Sequence, residues 1–117
     1  MDTFVQVNLN KQIDGDTIEY TLFRFFDAAD SALDLSMVTP KLMIRKGGYR
    51  GKLVRTCVIG DGLTWDSQSS GRLALSNISI DWGGHGTYYY DLQFTYDDLT
   101  IRTFVRGEIP IEKQVTT

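Results

Sequence analysis

A regular alternation of apolar and polar residues runs through Gly86–Tyr96 near the end of the chain. From Tyr88 onward every second residue is large and apolar or aromatic, and most of the residues between them are polar. Such alternation is typical of a β-strand with one buried and one solvated face. After a turn at residues 97–98, a second run over residues 100–106 leads back and ends at Gly107. The pattern predicts an antiparallel hairpin.

Shorter runs of the same kind, separated by Gly, Asp and Pro, occupy the rest of the chain. They predict strands over residues 4–9, 17–26, 41–46, 52–59, 63–65, 72–76 and 108–114. Within residues 17–26 the apolar positions change parity at Phe23, which predicts a bulge or a bend. Residues 27–36 have room for one helical turn, residues 76–82 fit either a helical turn or a strand, and Pro40 favours the start of an edge strand.

Short strands with frequent turns, and no long amphipathic helix, are typical of a sandwich or small barrel. We therefore predict a single all-β domain over residues 1–117, an antiparallel β-sandwich of about seven to nine short strands with little or no helix. The inward positions of the alternating runs give the predicted core: Tyr20, Leu22, Leu42, Ile44, Leu73, Leu75, Tyr88, Tyr90, Leu92, Phe94, Ile101 and Val105.

The composition limits the classes of binding partner and the cell compartment that we expect. The chain has 117 residues and a net charge of -3, which argues against a general nucleic-acid-binding protein because such proteins are usually basic. Cys57 is the sole cysteine, so no internal disulfide can form, as in proteins folded in a reducing cytoplasm. The first residues do not resemble a secretory leader, and no apolar run is long enough to span a bilayer. We expect no nucleic-acid or membrane partner.

Metal-binding and catalytic patterns are weak. Zinc sites need about four nitrogen or sulfur ligands, and the chain has only His85 and Cys57. Five aspartates supply enough oxygen ligands for calcium in principle, but Asp in β-turns usually bonds its own backbone; these are Asp14, Asp16, Asp27, Asp30 and Asp34. We predict neither a metal nor a cofactor.

A catalytic role has one candidate set. No serine lies in a nucleophile elbow beside a base. A sandwich can place two acids across a cleft, as glycosidases require, and three acids near tryptophans are the candidates: Asp61, Asp66 and Asp81. These acids adjoin turns, which favours a structural role, so we predict that the chain is not an enzyme.

Positive charge is concentrated around the connection at residues 47–51. Tyr49 lies among five cations there: Arg45, Lys46, Arg50, Lys52 and Arg55. A basic hairpin tip can contact phosphate or an acidic partner, whereas Lys and Arg on strand edges also prevent unwanted pairing. Together with the Gly-rich loop at residues 83–86, the tip gives the candidate partner contacts: Tyr49, Arg50, Lys52, His85 and Tyr89.

A carbohydrate- or receptor-binding module is the alternative interpretation. Aromatic side chains on a sandwich can form a platform on which sugar rings stack. The candidate glycan contacts are Trp65, Trp82 and Tyr89, of which Tyr89 faces away from the predicted core.

Several short motifs occur in a characteristic order. They are residues 33–36 (Leu-Asp-Leu-Ser), 41–45 (Lys-Leu-Met-Ile-Arg), 71–75 (Gly-Arg-Leu-Ala-Leu), 86–92 (Gly-Thr-Tyr-Tyr-Tyr-Asp-Leu), 102–107 and the terminal Val115-Thr116. In this order they resemble the small β-sandwich proteins encoded among phage structural genes and, more loosely, the N-terminal modules of siphophage upper-baseplate proteins. The Gly83-Gly84-His85 insertion and the polar loop at residues 28–32 depart from that outline.

The resemblance implies an immunoglobulin-like sandwich without catalytic residues that is made in the bacterial host cytoplasm and assembled into a virion. The implied position is the tail, baseplate, neck or capsid surface. The expected partners are other virion proteins and copies of the chain itself, because sheet edges and loop tips are surfaces that symmetric neighbours can cover.

Overall fold

The computed structural model of the protein describes residues 5–6, 8–27 and 29–113. Within these residues there is no helix. Nine strands follow one another: β1 (Val5–Gln6), β2 (Gln12–Ile13), β3 (Thr21–Arg24), β4 (Val38–Lys46), β5 (Lys52–Ile59), β6 (Gly62–Ser67), β7 (Arg72–Leu75), β8 (Gly86–Tyr96) and β9 (Ile101–Glu112). Phe4 and Val7, in the strand predicted over residues 4–9, lie outside the described residues. So does Gln114, the last residue of the strand predicted over residues 108–114.

The strands form one continuous sheet that curls into two layers. Their order is β1-β9-β8-β4-β5-β6-β7-β3, and β2 also pairs with β9. The front layer ends at β5 and the back layer begins at β6. The layers face each other across aromatic contacts, with ring centroids 6.2 Å apart for Phe23 and Tyr90 and 5.1 Å apart for Phe25 and Phe94. The predicted immunoglobulin-like all-β sandwich is confirmed.

The chain passes from the front layer to the back layer at a tight corner between β5 and β6. Only two residue pairs join these strands, Val58 with Gly62 and Ile59 with Leu63. Gly62 has a φ of 98°, and a Cβ at this position would lie 2.9 Å from Cys57 Sγ and 2.9 Å from Ile78 Cγ2. Because side-chain-bearing residues rarely adopt such a φ, glycine allows the sharp corner.

The alternation in Gly86–Tyr96 predicts the core correctly. β8 lies between β4 and β9, and its apolar positions point between the two layers. Nine of the predicted core residues are buried: Leu42, Ile44, Leu73, Leu75, Tyr88, Tyr90, Leu92, Phe94 and Val105.

Two residues predicted to be in the core lie just before the parity change in residues 17–26, and neither is fully buried. Tyr20 is 58% exposed, so its predicted burial is wrong, and Leu22 is only half-buried. The chain bends here: Thr17 forms an isolated bridge with Ser79, and regular pairing begins again only at Thr21. The bend brings Phe23 into the core and turns Tyr20 outward.

The last hairpin also differs from the prediction. The strands predicted over residues 100–106 and 108–114 are one strand, β9, and Gly107 pairs with Tyr90 inside it. A β-bulge shifts the register, because Leu92 pairs with Val105 while Gln93 pairs with Thr103. The extra residue reverses the facing beyond it. Ile101 is therefore 58% exposed, and its predicted place in the core is wrong.

Three smaller predictions concern connections. Pro40 lies in β4, an inner strand between β8 and β5, so the predicted edge position is wrong; the ladder with β5 begins one residue later, at Lys41. Residues 27 and 29–36 form no helical turn; they contain short turns and a bridge from Ala32 to Phe26. Residues 76–82 are strand-like, because Ile18 N donates to Ile78 O at 2.8 Å and Ile80 N donates to Asp16 O at 2.8 Å.

Candidate functional site

The predicted basic tip is the connection between β4 and β5. Three of its five cations are held by neighbours: Arg45 Nη1 donates to Gly51 O at 3.3 Å, Lys46 Nζ donates to Gly83 O at 3.0 Å, and Arg55 Nη2 lies 2.6 Å from Asp61 Oδ1. Arg50 and Lys52 are exposed and have no carboxylate within ion-pair distance among the described residues. The tip therefore presents these two free cations to solvent.

Tyr49 folds from the tip onto the outer face of the front layer. Its ring lies edge-on to that of Tyr89, with centroids 5.1 Å apart and an interplanar angle of 65°. The guanidinium of Arg106 lies 4.7 Å from the centroid of the Tyr49 ring, within the range of a cation–π interaction. Burial raises the pKa of Tyr49, and the Glu108 carboxylate adds to this effect while Arg106 opposes it. Two of the predicted contact residues, Tyr49 and Tyr89, thus form one aromatic pair.

Asp91 lies on the same outer face and is only 7% exposed. It is paired with Met43 on β4 and with Arg106 on β9. Burial raises the pKa of the Asp91 carboxyl, while the positive charges of Arg106 and Arg45 oppose that rise. Its Oδ1 has no hydrogen-bond partner among the described residues. The alternation of apolar and polar residues in Gly86–Tyr96 predicts that Asp91 faces solvent, and nothing in the local sequence indicates its burial.

His85 lies in the loop beside the tip and is exposed. The loop is held against the front layer because Tyr88 Oη donates to Gly84 O at 2.7 Å and Lys46 Nζ donates to Gly83 O. His85 is therefore carried on a loop that is tied to the end of β4 beside the tip.

The three candidate glycan contacts are not brought together. Trp82 is 9% exposed and lies edge-on to Tyr88 at 5.3 Å. Trp65 pairs with Leu73 in the back layer and is half-buried against the core. The ring partner of Tyr89 is Tyr49, on the outer face of the front layer. Within the described part of the chain, no ring contact joins the three into a platform.

A second feature next to Trp82 could not be expected from the sequence. A groove of about 380 Å³ opens between β5 and the strand-like residues 76–82, and its lining comprises Val54, Arg55, Asn77, Ile78, Ser79, Asp81 and Trp82. Trp82 Nε1 is buried and has no hydrogen-bond acceptor within the described residues. A buried donor without a partner is uncommon in folded proteins, and this one belongs to a side chain that lines the groove.

The candidate catalytic acids are divided among different partners. Asp61 pairs with Arg55, and Asp66 Oδ2 lies 2.9 Å from Arg72 Nε. Asp81 is exposed at the rim of the groove beside Trp82. Asp61 and Asp66 are thus each engaged by a cation.

The candidate calcium ligands are partly committed to turns. Asp27 Oδ1 accepts from the backbone N–H of Ala29 and of Ser31, and Asp34 Oδ1 accepts from the N–H and the hydroxyl of Ser36. These hydrogen bonds lower the pKa of Asp34. Across the described residues, no three His, Cys, Asp or Glu side chains are grouped so that they could hold a metal ion.

The same residues contain no helix long and apolar enough to cross a membrane.

Comparison with known proteins gives a likeness of fold. A scan against protein-family models finds no match, and a search of curated proteins finds none either. The chain is similar to CopC from Methylosinus trichosporium OB3b, with 15% identity and a TM-score of 0.51 over 92% of this chain and 88% of that one. It is also similar to extracellular domains 3–5 of Drosophila OTK, with 21% identity and a TM-score of 0.33 over 97% of this chain and 35% of that one.

The likeness to CopC shows the fold alone. CopC is not a phage protein. The resemblance to virion proteins therefore rests on the order of the sequence motifs.

Proposed function

We propose that this chain is a non-enzymatic structural protein of a bacteriophage or prophage virion, working through contacts with other virion proteins and with copies of itself. The order of its sequence motifs supports the virion setting, and manufacture in the host cytoplasm follows from that setting. The sandwich supplies a rigid body with loops and sheet edges on which neighbouring subunits can pack.

One observation carries the contact role: the half-exposed pair of Tyr49 and Tyr89 beside the free cations of Arg50 and Lys52. Tyr and Arg are enriched at protein interfaces and among the residues that contribute most binding energy. Arg106 already packs on the Tyr49 ring, so the pair is held in place before any partner arrives. A pre-ordered aromatic surface loses less conformational entropy on binding.

Light scattering over a range of protein concentrations tests the assembly role. We expect a defined oligomer, and the double substitution Tyr49→Ala with Tyr89→Ala should shift it towards monomer by at least about tenfold in dissociation constant. Tyr20→Ala is the matched control, because this tyrosine is also exposed but lies outside the proposed contact surface.

Two results would count against the proposal. A mass that stays monomeric at every concentration would exclude self-assembly in isolation. An oligomer that weakens equally in the Tyr20→Ala control would show that the Tyr49–Tyr89 pair is not its interface.

A further inference from the structure

The strand β5 has a free edge over most of its length. Residues 52–58 pair with β4 on one side, with a bulge at Val54, whereas on the other side only Val58 and Ile59 pair, with β6. Among the described residues no strand pairs with residues 52–57 on that second side. A row of unpaired backbone N–H and C=O groups is a template to which another extended chain can add.

The groove beside Trp82 borders part of this free edge. Val54 and Arg55 of β5 form one wall, and Asn77, Ser79 and Asp81 contribute polar groups from the opposite wall. Trp82 Nε1 is shielded from solvent and lacks an acceptor within the described residues, and Trp82 is part of the lining of the groove. The backbone carbonyl of a strand added in the groove would supply that acceptor.

The charge around the edge selects among possible strands. Residues 41–55 contain six Lys or Arg and no Asp or Glu. Of these, Lys52 lies on the edge strand itself and Arg50 lies just before it, and both are exposed. An acidic segment is attracted to the end of this edge that carries Arg50 and Lys52, whereas a second copy of β5 would bring Lys52 against the same positive charges and be repelled.

We propose that the free edge of β5 and the groove beside Trp82 bind an extended acidic peptide segment of a partner protein, which adds to the front layer as an extra strand. Its backbone pairs with residues 52–57, one of its carbonyls accepts from Trp82 Nε1, and its carboxylates lie near Lys52 and Arg50. This inference rests on the proposed contact role and names the chemistry of the partner.

Fluorescence polarisation with labelled peptides tests the site. The probe is a decamer of alternating Val and Glu, which favours an extended conformation and carries negative charge. We expect saturable binding that is about tenfold weaker for a Val–Lys decamer, because its charges meet Lys52 and Arg50. Methylation of alternate backbone nitrogens in the Val–Glu decamer should remove binding, since it deletes the donors that strand addition requires.

Protein variants then place the site. Lys52→Glu should weaken binding of the Val–Glu decamer about tenfold. Arg24→Glu should change it less than about twofold, because this exposed cation lies on β3 at the far edge of the sheet. Trp82→Phe keeps an aromatic ring but deletes the Nε1 donor, so binding should weaken about three- to tenfold. Lys52 is exposed, so its substitution stays informative if Trp82→Phe unfolds the chain.

Several results would overturn the inference. These are no saturable binding of the Val–Glu decamer, equal binding of the Val–Lys or methylated decamer, or equal effects of Lys52→Glu and Arg24→Glu. An oligomer of the protein alone that Lys52→Glu dissociates but Tyr49→Ala with Tyr89→Ala leaves intact would assign the edge to a second copy instead. If the decamer binds as expected while Tyr49→Ala with Tyr89→Ala leaves the mass unchanged, the self-assembly proposal fails and the peptide site stands.

Discussion

Replacing Leu92 with Ala tests the packing on which the sandwich depends. Leu92 is 0% exposed and sits in the middle of β8, paired with Leu42 on one side and Val105 on the other. The substitution removes three carbon atoms, each worth about 0.8 kcal/mol of transfer free energy. The cavity left between two pleated layers adds to this loss, so we expect the free energy of unfolding to fall by about 3–5 kcal/mol.

Urea denaturation followed by circular dichroism measures this loss. Domains of this size have stabilities of about 5–15 kcal/mol, so the variant should remain folded in water with a much lower transition midpoint. Ile101→Ala is the matched control, because Ile101 is turned outward by the bulge in β9, and it should cost less than about 1 kcal/mol. A cost below about 1 kcal/mol for Leu92→Ala, or equal costs at both positions, would refute the assigned facing of the last hairpin.

Two further substitutions test the corner and the buried carboxyl. In thermal or urea melts, Gly62→Ala should destabilise the fold by about 2–5 kcal/mol, since it combines an unfavourable φ with overpacking against Cys57 and Ile78. Gly84→Ala is the control: Gly84 has a φ of 101° but no atom within 4 Å of the added Cβ, so this change should cost only about 1–2 kcal/mol. Burial raises the pKa of Asp91 in the folded chain. The protonated carboxyl therefore contributes its full stability at a pH below its ordinary pKa of 3.8, and this contribution is lost as the pH rises through the pKa of the folded chain. The stability of Asp91→Asn relative to wild type should therefore increase from about pH 3.5 to pH 7 in urea melts, and a constant difference would contradict this assignment.

Local alternation was sufficient to predict much of the architecture. Strand β8 and the core positions on it follow from residue-by-residue patterning, because a strand buried on one face must repeat every two residues. The Gly and Asp turns likewise mark where strands end. These features depend on neighbours in the sequence and are therefore visible in it.

The errors occur where pairing between strands overrides the local pattern. Gly107 resembles a strand end, yet it continues β9 because its partner Tyr90 lies in a long neighbouring strand. Ile101 and Val105 have the same parity, and only the bulge between them separates their facing. Nothing in residues 101–105 taken alone specifies where that bulge falls.

The candidate site has the same limit. The concentration of positive charge at the tip is evident from the sequence, which also places Tyr49 and Tyr89 among the candidate contacts. That their rings meet follows from the fold of the tip over β8, forty residues away in the chain. The burial of Asp91 and the groove beside Trp82 depend on the same kind of long-range approach.

The buried Asp91 carboxyl lies on the same outer face of the front layer as the Tyr49–Tyr89 pair. Leu92 and Asp91 are neighbours that point to opposite faces of β8, and both are buried. The front layer is therefore covered on both faces at this point, although the half-exposed Gln93 and Thr95 continue the outer face. A carboxyl whose pKa is raised by burial makes the folded state less stable at neutral pH. Tyr49 is held against Tyr89 and Arg106. A partner that meets this surface therefore encounters aromatic side chains that are already positioned.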